Sequence, residues 1–407
     1  MIKKIPVQQL RPGMYVTDFN AGWLDHPFVL NSMKIDTDDQ VQKVLDSGVK
    51  ELFVDTTRGF DVSDAPTREE AAALTERALE RIGEVEKPKM PERQVSLADE
   101  LLRAKSTFSE ATRIIRGVMD DVRLGRQIEL ESSRVVVEKI TNSIMRNGNA
   151  MQSMRRMRNL DDYTFLHSVS VCTMLTTFVQ AVGIGVPTIH DIALGALLHD
   201  IGKMRVNLTL LNKPSKLSDD EFMHMKSHVV LGSDLLRQMP GIPKIAFEPL
   251  DLHHERFDGS GYPNKLKGEE ISEIGRMTAI VDVYDAITSD RCYHKPVGPA
   301  EGIRKLFEWS KFHFDPALVQ LFVKSIGIYP VGTLVRLESE RLGVVIEQRE
   351  ANLLTPLVRV IFDAKRNYYI TPEEVDLSKP MGAGGADKII GHESPGKWKI
   401  DISRFLQ

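Results

Sequence analysis

Between residue 150 and about 325 the chain repeats apolar residues at helical spacing, and the same stretch carries His167, His190, His199, His224, His228, His253, His254 and His294. A helical core tolerates imidazoles only where their nitrogens find partners, so the helices must bring several of these side chains together. The densest part runs from His253 to Pro263 and reads His-His-Glu-Arg-Phe-Asp-Gly-Ser-Gly-Tyr-Pro. It is too polar for a core and too structured for a linker, and it is expected to form the rim of an active site.

His190-Asp191 and His199-Asp200 lie nine positions apart on one expected helix, half a turn out of phase, so they cannot face the same site. The second pair is the better candidate, because Gly202 follows to break the helix and Lys203 supplies a cation; the first pair suits the helix N-terminus, where acids are favoured. Ser218-Asp-Asp-Glu221 reads as a capping box that starts a helix, with His224 and His228 on one face at i, i+4 and His228 the deeper of the two. Adjacent His253 and His254 can serve one cluster if a helix ends there, which Gly259 and Gly261 allow. Asp282, Asp285 and Ser289 share a further helical face, and carboxylates flanked by apolar residues call for a cation: Arg291, Lys295 or a metal.

The collected donors are His167, His199, Asp200, His228, His253, His254 and Asp282, with no thiolate. They are too many for one tetrahedral zinc and about right for two octahedral ions that share a carboxylate, a set that suits iron or manganese. Two such ions lower the pKa of a water between them and clamp both oxygens of a phosphoryl displacement, so phosphate-ester hydrolysis is the expected chemistry.

The remainder of the chain bounds this reading. A length of 407 residues with 27% charged residues suggests two or three soluble globular domains, and a formal net charge of −4 offers no general field for nucleic acid or an anionic membrane. Two cysteines, Cys172 and Cys292, make no disulfide framework and suit a reducing cytosol, hence a cytoplasmic location. No apolar stretch follows the charged N-terminus as in a signal peptide, and Val169 to Val186 is interrupted by Ser170, Thr173, Thr176, Thr177 and Gln180, which argues against a membrane span.

The fold class is expected to be mainly α, in four parts. Residues 1–65 read as a small mixed α/β domain with a helix over Gln40 to Leu45, a strand over Glu51 to Asp55, and His26 in a surface loop. Residues 66–149 read as a helical linker. There Leu101, Ala104, Phe108, Ala111, Ile115, Val118 and Val122 draw one stripe that makes either a homodimeric coiled coil through helix 101–122 or a helix packed on its own neighbours. A second helix, from about Ile128 to Met145, should end at Asn147-Gly148-Asn149. Residues 150–325 form the main helical domain. Residues 326–407 read as a small β module with runs at Leu334 to Leu337, Gly343 to Ile346 and Val358 to Phe362, and a loose tail around Gly382 to Gly385.

Taken in order, His167, His199-Asp200-Ile-Gly-Lys203, His228, His253-His254-Glu255, Gly261-Tyr262-Pro263 and Asp282 resemble the HD-GYP family, a branch of the HD-domain metal-dependent phosphohydrolases. The resemblance covers about 150 to 325, and the N-terminal segment looks more loosely like the uncharacterised domain that often precedes HD-GYP. It implies a phosphodiesterase that opens cyclic di-GMP to linear pGpG, and in many members cuts on to GMP, with a metal-bridging hydroxide and two divalent ions, iron or manganese. By position His167, His199, Asp200 and Asp282 would hold one ion, and Asp200 would bridge to a second held by His228, His253 and His254. Lys203 and Arg291 would contact phosphates, Asp161 and Asp285 would support the water and metal shell, and Gly259 to Gly261 with Tyr262 would shape the guanine side. Two departures stand out. Tyr163 occupies the position of a glutamate that gives some members a third ion, so two are expected. Cys292 and His294 flank Tyr293 where the family often has proline and a basic residue, leaving Lys295 as a substitute phosphate contact. The alternatives are a slow cyclic di-GMP receptor or protein scaffold, and a phosphohydrolase for another cyclic dinucleotide. Diguanylate cyclases or other signalling proteins are the partners implied.

Overall fold

The computed structural model describes residues 1–20, 32–84, 94–155, 163–211, 213, 218–289, 296–349, 352–379 and 387–406. His26, Asp161, Arg291, Cys292, His294, Lys295 and the tail at Gly382 to Gly385 lie outside them. The chain divides into two compact units, the first built on Met1–Leu79 and the second on Glu80–Leu211 and most of the chain from His224 onward.

The first unit carries an antiparallel sheet in the order β1-β4-β2-β3, with β1 Ile2–Pro6, β2 Tyr15–Asp18, β3 Met33–Lys34 and β4 Glu51–Asp55. Helix α1, Asp38–Asp46, starts at a capping box in which the Thr37 hydroxyl accepts from the Gln40 amide and the Gln40 side chain reaches back. Ile5, Val16, Leu52 and Val54 from the strands and Val44 from α1 form its core. The helix and β4 fall where the apolar pattern put them. β1 pairs with β4 from Ile2↔Asp55 to Pro6↔Glu51, although its paired lysines hide the alternation of a strand.

Among the described residues the remaining α-helices are α2 Arg68–Glu84, α3 Leu97–Arg123, α4 Glu131–Met154, α5 Tyr163–Ala181, α6 Val186–Leu198, α7 Leu208–Leu211, α8 Asp219–Lys226, α9 His228–Arg237, α10 Phe247–Leu252, α11 Glu273–Thr288, α12 Pro299–Trp309, α13 Pro316–Ile326 and the short α14 Pro395–Trp398. The expected stripe exists on α3, and Ala104, Phe108, Ala111, Ile115, Val118 and Val122 are all buried within the chain, where α3 packs along α4 and against α5. That face is therefore spent on the chain's own core and is not the seam of a homodimeric coiled coil.

The expected stop at Asn147 is a kink. Its backbone leaves helical values (φ −162°, ψ 96°), its side-chain amide donates to the Val95 carbonyl at 3.2 Å and its carbonyl oxygen accepts from the Asn149 amide at 3.2 Å. These bonds replace the interrupted ladder, and α4 resumes through Ala150 and Met151 to Met154, all three buried.

Helix α5 lies at the centre, packed on α6, α11, α4, α3 and α13. Its Thr173 and Thr177 are buried at low cost because each donates to a carbonyl four residues back, at 2.8 and 3.0 Å. Among the described residues no helix is long and apolar enough to cross a membrane.

The C-terminal strands β5 Leu334–Leu337, β6 Arg341–Glu347, β7 Leu357–Asp363, β8 Tyr368–Asp376 and β9 Ile389–His392 form an antiparallel sheet in the order β8-β7-β6-β5-β9. Leu334, Leu342, Val344, Ile346 and Ile361 fill its core. The first three strands match the apolar runs. The two edge strands carry no such signal, and β8 is largely exposed with Pro372 in its middle, as suits a strand with a neighbour on only one side.

Candidate metal centre

The site is assembled from helix ends. Helix α6 begins with Pro187 in its first turn and terminates at His199, and a 3₁₀ turn, Ile201–Arg205, follows, so that His199, Asp200 and Lys203 leave the helix together. Helix α10 likewise ends at His253, with His254 next. Helix α9 starts at His228, while His167 comes from inside α5 and Asp282 and Asp285 from α11. His190 is half-buried on α6 and belongs to none of the donor clusters.

The capping box before α8 forms: the Ser218 amide donates to Glu221 at 2.7 Å and the Glu221 amide to the Ser218 hydroxyl at 3.3 Å. The i, i+4 pairing expected after it does not form, because the helix breaks at Ser227 between α8 and α9. His224 is exposed and His228 is buried.

Seven donors converge. His167 Nε2 lies 3.0 Å from Asp282 Oδ1 and 3.7 Å from Asp200 Oδ2, and His199 Nε2 lies 3.4 and 3.8 Å from the same two carboxylates' Asp200 Oδ2 and Asp282 Oδ1. On the other side of Asp200, Oδ1 is 3.4 Å from His228 Nε2 and 3.8 Å from His253 Nε2, while His254 Nδ1 is 3.9 Å from Asp282 Oδ2. Among the described residues three donor groups are close enough to share an ion: His228, His253 and His254; His167, His199 and Asp282; and His199, Asp200 and His253. Asp200 faces both histidine sets through different oxygens.

The tautomers follow from the other ring nitrogens. His199 Nδ1 donates to the Ala196 carbonyl at 2.8 Å, His228 Nδ1 to the Met225 carbonyl at 2.7 Å and His253 Nδ1 to the Leu250 carbonyl at 2.9 Å. Each bond leaves Nε2 as a lone pair aimed inward. Burial pushes the His228 imidazole down to about 4 and that of His253 to about 3, and it also lowers His199 and His254, so these rings are neutral. The Nε2 lone pairs of His228 and His253 then confront each other at 3.3 Å beside a carboxylate oxygen.

Burial opposes ionisation of Asp200 and Asp282, yet the Lys203 cation beside Asp200 and the His167 hydrogen bond to Asp282 hold both carboxyls well below the usual range. Lys203 Nζ reaches Asp200 Oδ2 at 2.5 Å. Burial also works against protonation of His167, but hydrogen bonds to Asp282 and Asp285 outweigh it and raise this imidazole.

Acceptors that converge without donors call for a cation. Among the described residues, His199 Nε2 and Asp200 Oδ1 are buried and have no hydrogen-bond partner, a cost that ligation of a metal removes. The imidazole and carboxylate donors suit a divalent ion, and the residues present fit such a group.

Asp285 required a cation, and the structure supplies one that the sequence pattern did not single out. Arg155 Nη2 donates to Asp285 Oδ1 at 3.0 Å, with both side chains buried, while Asp285 Oδ2 accepts from His167 Nδ1 at 2.8 Å. Its separation of 130 positions from Asp285 concealed the pairing, and an α4 ending at Gly148 would not have reached it.

The stretch from His253 to Pro263 forms the rim. The buried Glu255 carboxylate accepts from the amides of Asn264 at 2.8 Å and Leu266 at 3.1 Å, closing the turn around Tyr262. Gly259 takes a left-handed φ of +83°, and at Gly261 a Cβ would lie 2.3 Å from the Arg256 amide nitrogen, so each position demands glycine. The Tyr262 ring stacks on His254 with centroids 4.6 Å apart, and Lys226 Nζ stands 5.1 Å from its centroid.

Comparison with known proteins finds relatives of this chain. A family model described as HD domain matches residues 136–318, and one described as Domain of unknown function (DUF3391) matches residues 2–132. A cyclic di-GMP phosphodiesterase of Pseudomonas aeruginosa is 40% identical over 402 residues, which cover 98% of this chain and 94% of that protein. A 3'3'-cGAMP-specific phosphodiesterase of Vibrio cholerae is 40% identical over 128 residues, 31% of this chain and 24% of the relative. A cyclic di-GMP phosphodiesterase of the same organism is 41% identical over 134 residues, 31% of this chain and 27% of the relative.

Proposed function

The chain belongs to the HD-GYP family, and on that premise we propose that it is a metal-dependent phosphodiesterase that opens cyclic di-GMP to linear pGpG. The observation that carries the reading is the 40% identity to a cyclic di-GMP phosphodiesterase over nearly the full length of both chains. The convergence of seven nitrogen and oxygen donors around Asp200 supports it. We place residues 1–65 and 66–149 before the catalytic domain at 150–325, and the β module at 326–407 after it.

In this reading His167, His199, Asp200 and Asp282 hold one divalent ion, and Asp200 with His228, His253 and His254 holds a second, iron or manganese. Bound there, such ions supply Lewis acidity for water activation and for charge on the phosphate. The protein's own contribution is to hold the imidazoles of His199, His228, His253 and His254 neutral, with Nε2 of the first three inward, and to keep Asp200 and Asp282 ionised. Lys203, whose side chain is about one-fifth exposed, offers its cation from Asp200 to a phosphate oxygen; Arg291 and Lys295 are further phosphate contacts. Tyr262, stacked on His254, and the Gly259 to Gly261 turn form a face for guanine. Asp285 keeps His167 oriented.

A second reading, hydrolysis of 3'3'-cGAMP, has its own support in the relative of that specificity. Both are tested by loading the protein anaerobically with Mn²⁺ or Fe²⁺, incubating it with cyclic di-GMP, 3'3'-cGAMP and other cyclic dinucleotides, and identifying products by chromatography. The expected result is linear pGpG from cyclic di-GMP, with Asp200→Ala and His253→Ala folded and inactive. Undiminished turnover in both variants removes the assignment.

A further inference from the structure

We propose that Arg155 is a positioning residue of the metal centre, holding the Asp285 carboxylate in the one rotation that orients the His167 ring. The inference rests on the reading of the cluster as a metal site. Arg155 Nη2 donates to Asp285 Oδ1 at 3.0 Å, Asp285 Oδ2 accepts from His167 Nδ1 at 2.8 Å, and His167 Nε2 faces Asp282 Oδ1 at 3.0 Å. Each carboxylate oxygen of Asp285 serves one of these partners, so a rotation that frees one loses both.

His167 needs this arrangement because of where it sits. His199 and His253 cap the ends of α6 and α10, and His228 follows α8, so each finds a carbonyl three residues back among the acceptors that a helix end leaves unused. His167 lies inside α5, away from a helix end, and its Nδ1 finds its acceptor on another element, the Asp285 carboxylate of α11. The acceptor it finds is a side chain, and a carboxylate carried on two rotatable bonds is a weaker brace than a main-chain carbonyl unless something fixes it.

Arg155 is placed to do that. It caps the end of α4, its Nη1 donates to Gln152 Oε1 at 2.8 Å, its guanidinium lies 5.9 Å from the Tyr284 ring centroid, and the side chain is buried. It is at one remove from the donors, which makes it a positioning residue and not a catalytic one. Residues beyond a ligand that orient it change metal affinity by about 10–100-fold when removed.

The test measures Mn²⁺ affinity of the full-length chain by electron paramagnetic resonance of the free ion, with folding checked by circular dichroism. Arg155→Met, which keeps the aliphatic stem, is expected to weaken Mn²⁺ binding by about 10-fold or more, and Arg155→Lys to recover part of the loss. In the Asp285→Asn background Arg155→Met should add little, because Arg155 acts through Asp285. At saturating Mn²⁺ the loss should appear in kcat with KM unchanged. Affinity within twofold of wild type in a folded Arg155→Met chain overturns the proposal, as do effects that simply add in the double variant. If Arg155→Met does not fold, Asp285→Asn and Arg155→Lys decide: wild-type affinity in both overturns it. A wild-type chain that binds no Mn²⁺ fails at the metal site itself, a result distinct from any of these.

Discussion

Gly202 lies between the Asp200 turn and the first turn of α9, and replacing it with alanine tests how tightly the centre is built. A Cβ there would lie 1.9 Å from the His228 carbonyl oxygen, 2.5 Å from the Gly232 nitrogen and 2.9 Å from the His228 carbonyl carbon. Such contacts do not fall below 3.0 Å, so the closest one alone demands a separation of 3.0 − 1.9 = 1.1 Å, and every atom it meets is backbone. His228 cannot swing aside; the start of α9 has to retreat. Since His228 Nε2 stands 3.4 Å from Asp200 Oδ1 and 3.3 Å from His253 Nε2, a retreat of that size removes it from the cluster. A misplacement of about 1 Å costs on the order of 10²-fold in rate, and the overpacking itself costs about 1–3 kcal/mol or more. The assay pairs Mn²⁺ stoichiometry and cyclic di-GMP turnover with urea unfolding. Gly117→Ala is the control: it sits in α3 with nothing within 4 Å of a new Cβ and should raise stability by about 0.5–1 kcal/mol. Wild-type turnover and stability in Gly202→Ala would refute the reasoning.

Glu255→Ala leaves the amides of Asn264 and Leu266 without their acceptor; each bond to a carboxylate is worth about 1.5–3 kcal/mol, so we expect a looser Tyr262 turn, seen as a raised KM with a smaller fall in kcat. Glu100 is fully buried on α3, where Ser143 and Arg146 Nε and Nη2 each donate to it at 2.7 Å. Burial opposes its ionisation, but the Arg146 and Ser143 bonds prevail and depress its pKa below the ordinary 4.5. A depressed acid stabilises the fold above its unfolded pKa and loses that contribution as pH falls through the folded value. Glu100→Gln should therefore cost ~2 kcal/mol at pH 7, and urea titrations should find the gap to wild type closing below pH 4.5; a gap independent of pH would contradict this.

The parts of this molecule legible in its sequence are those whose signal is local. His199, Asp200 and Lys203 follow one another at a helix end, and the heptad-like stripe of α3 names six buried residues by spacing alone. Three kinds of feature escaped. Arg155 meets Asp285 only through the fold. The edge strands β8 and β9 take their conformation from a neighbouring strand rather than from apolar alternation. The helix break at Ser227 and the kink at Asn147 depend on side chains that replace ladder bonds, and composition alone does not distinguish a kink from an end. Gly202 was legible as a breaker, whereas its tighter constraint is the main chain of His228 pressed against it.

The bracing of the histidines also bears on how this centre can drift. Ala196, Met225 and Leu250 orient His199, His228 and His253 with their carbonyls, an atom that every amino acid carries. Mutation at those three positions can alter packing but cannot delete the acceptor. The orientation of three imidazoles is thus insulated from sequence change nearby, while that of His167 hangs on the identity of the Asp285 side chain. A lineage losing activity by stepwise substitution would find its most vulnerable imidazole on α5, and Asp285 could be lost while all seven donors stayed intact.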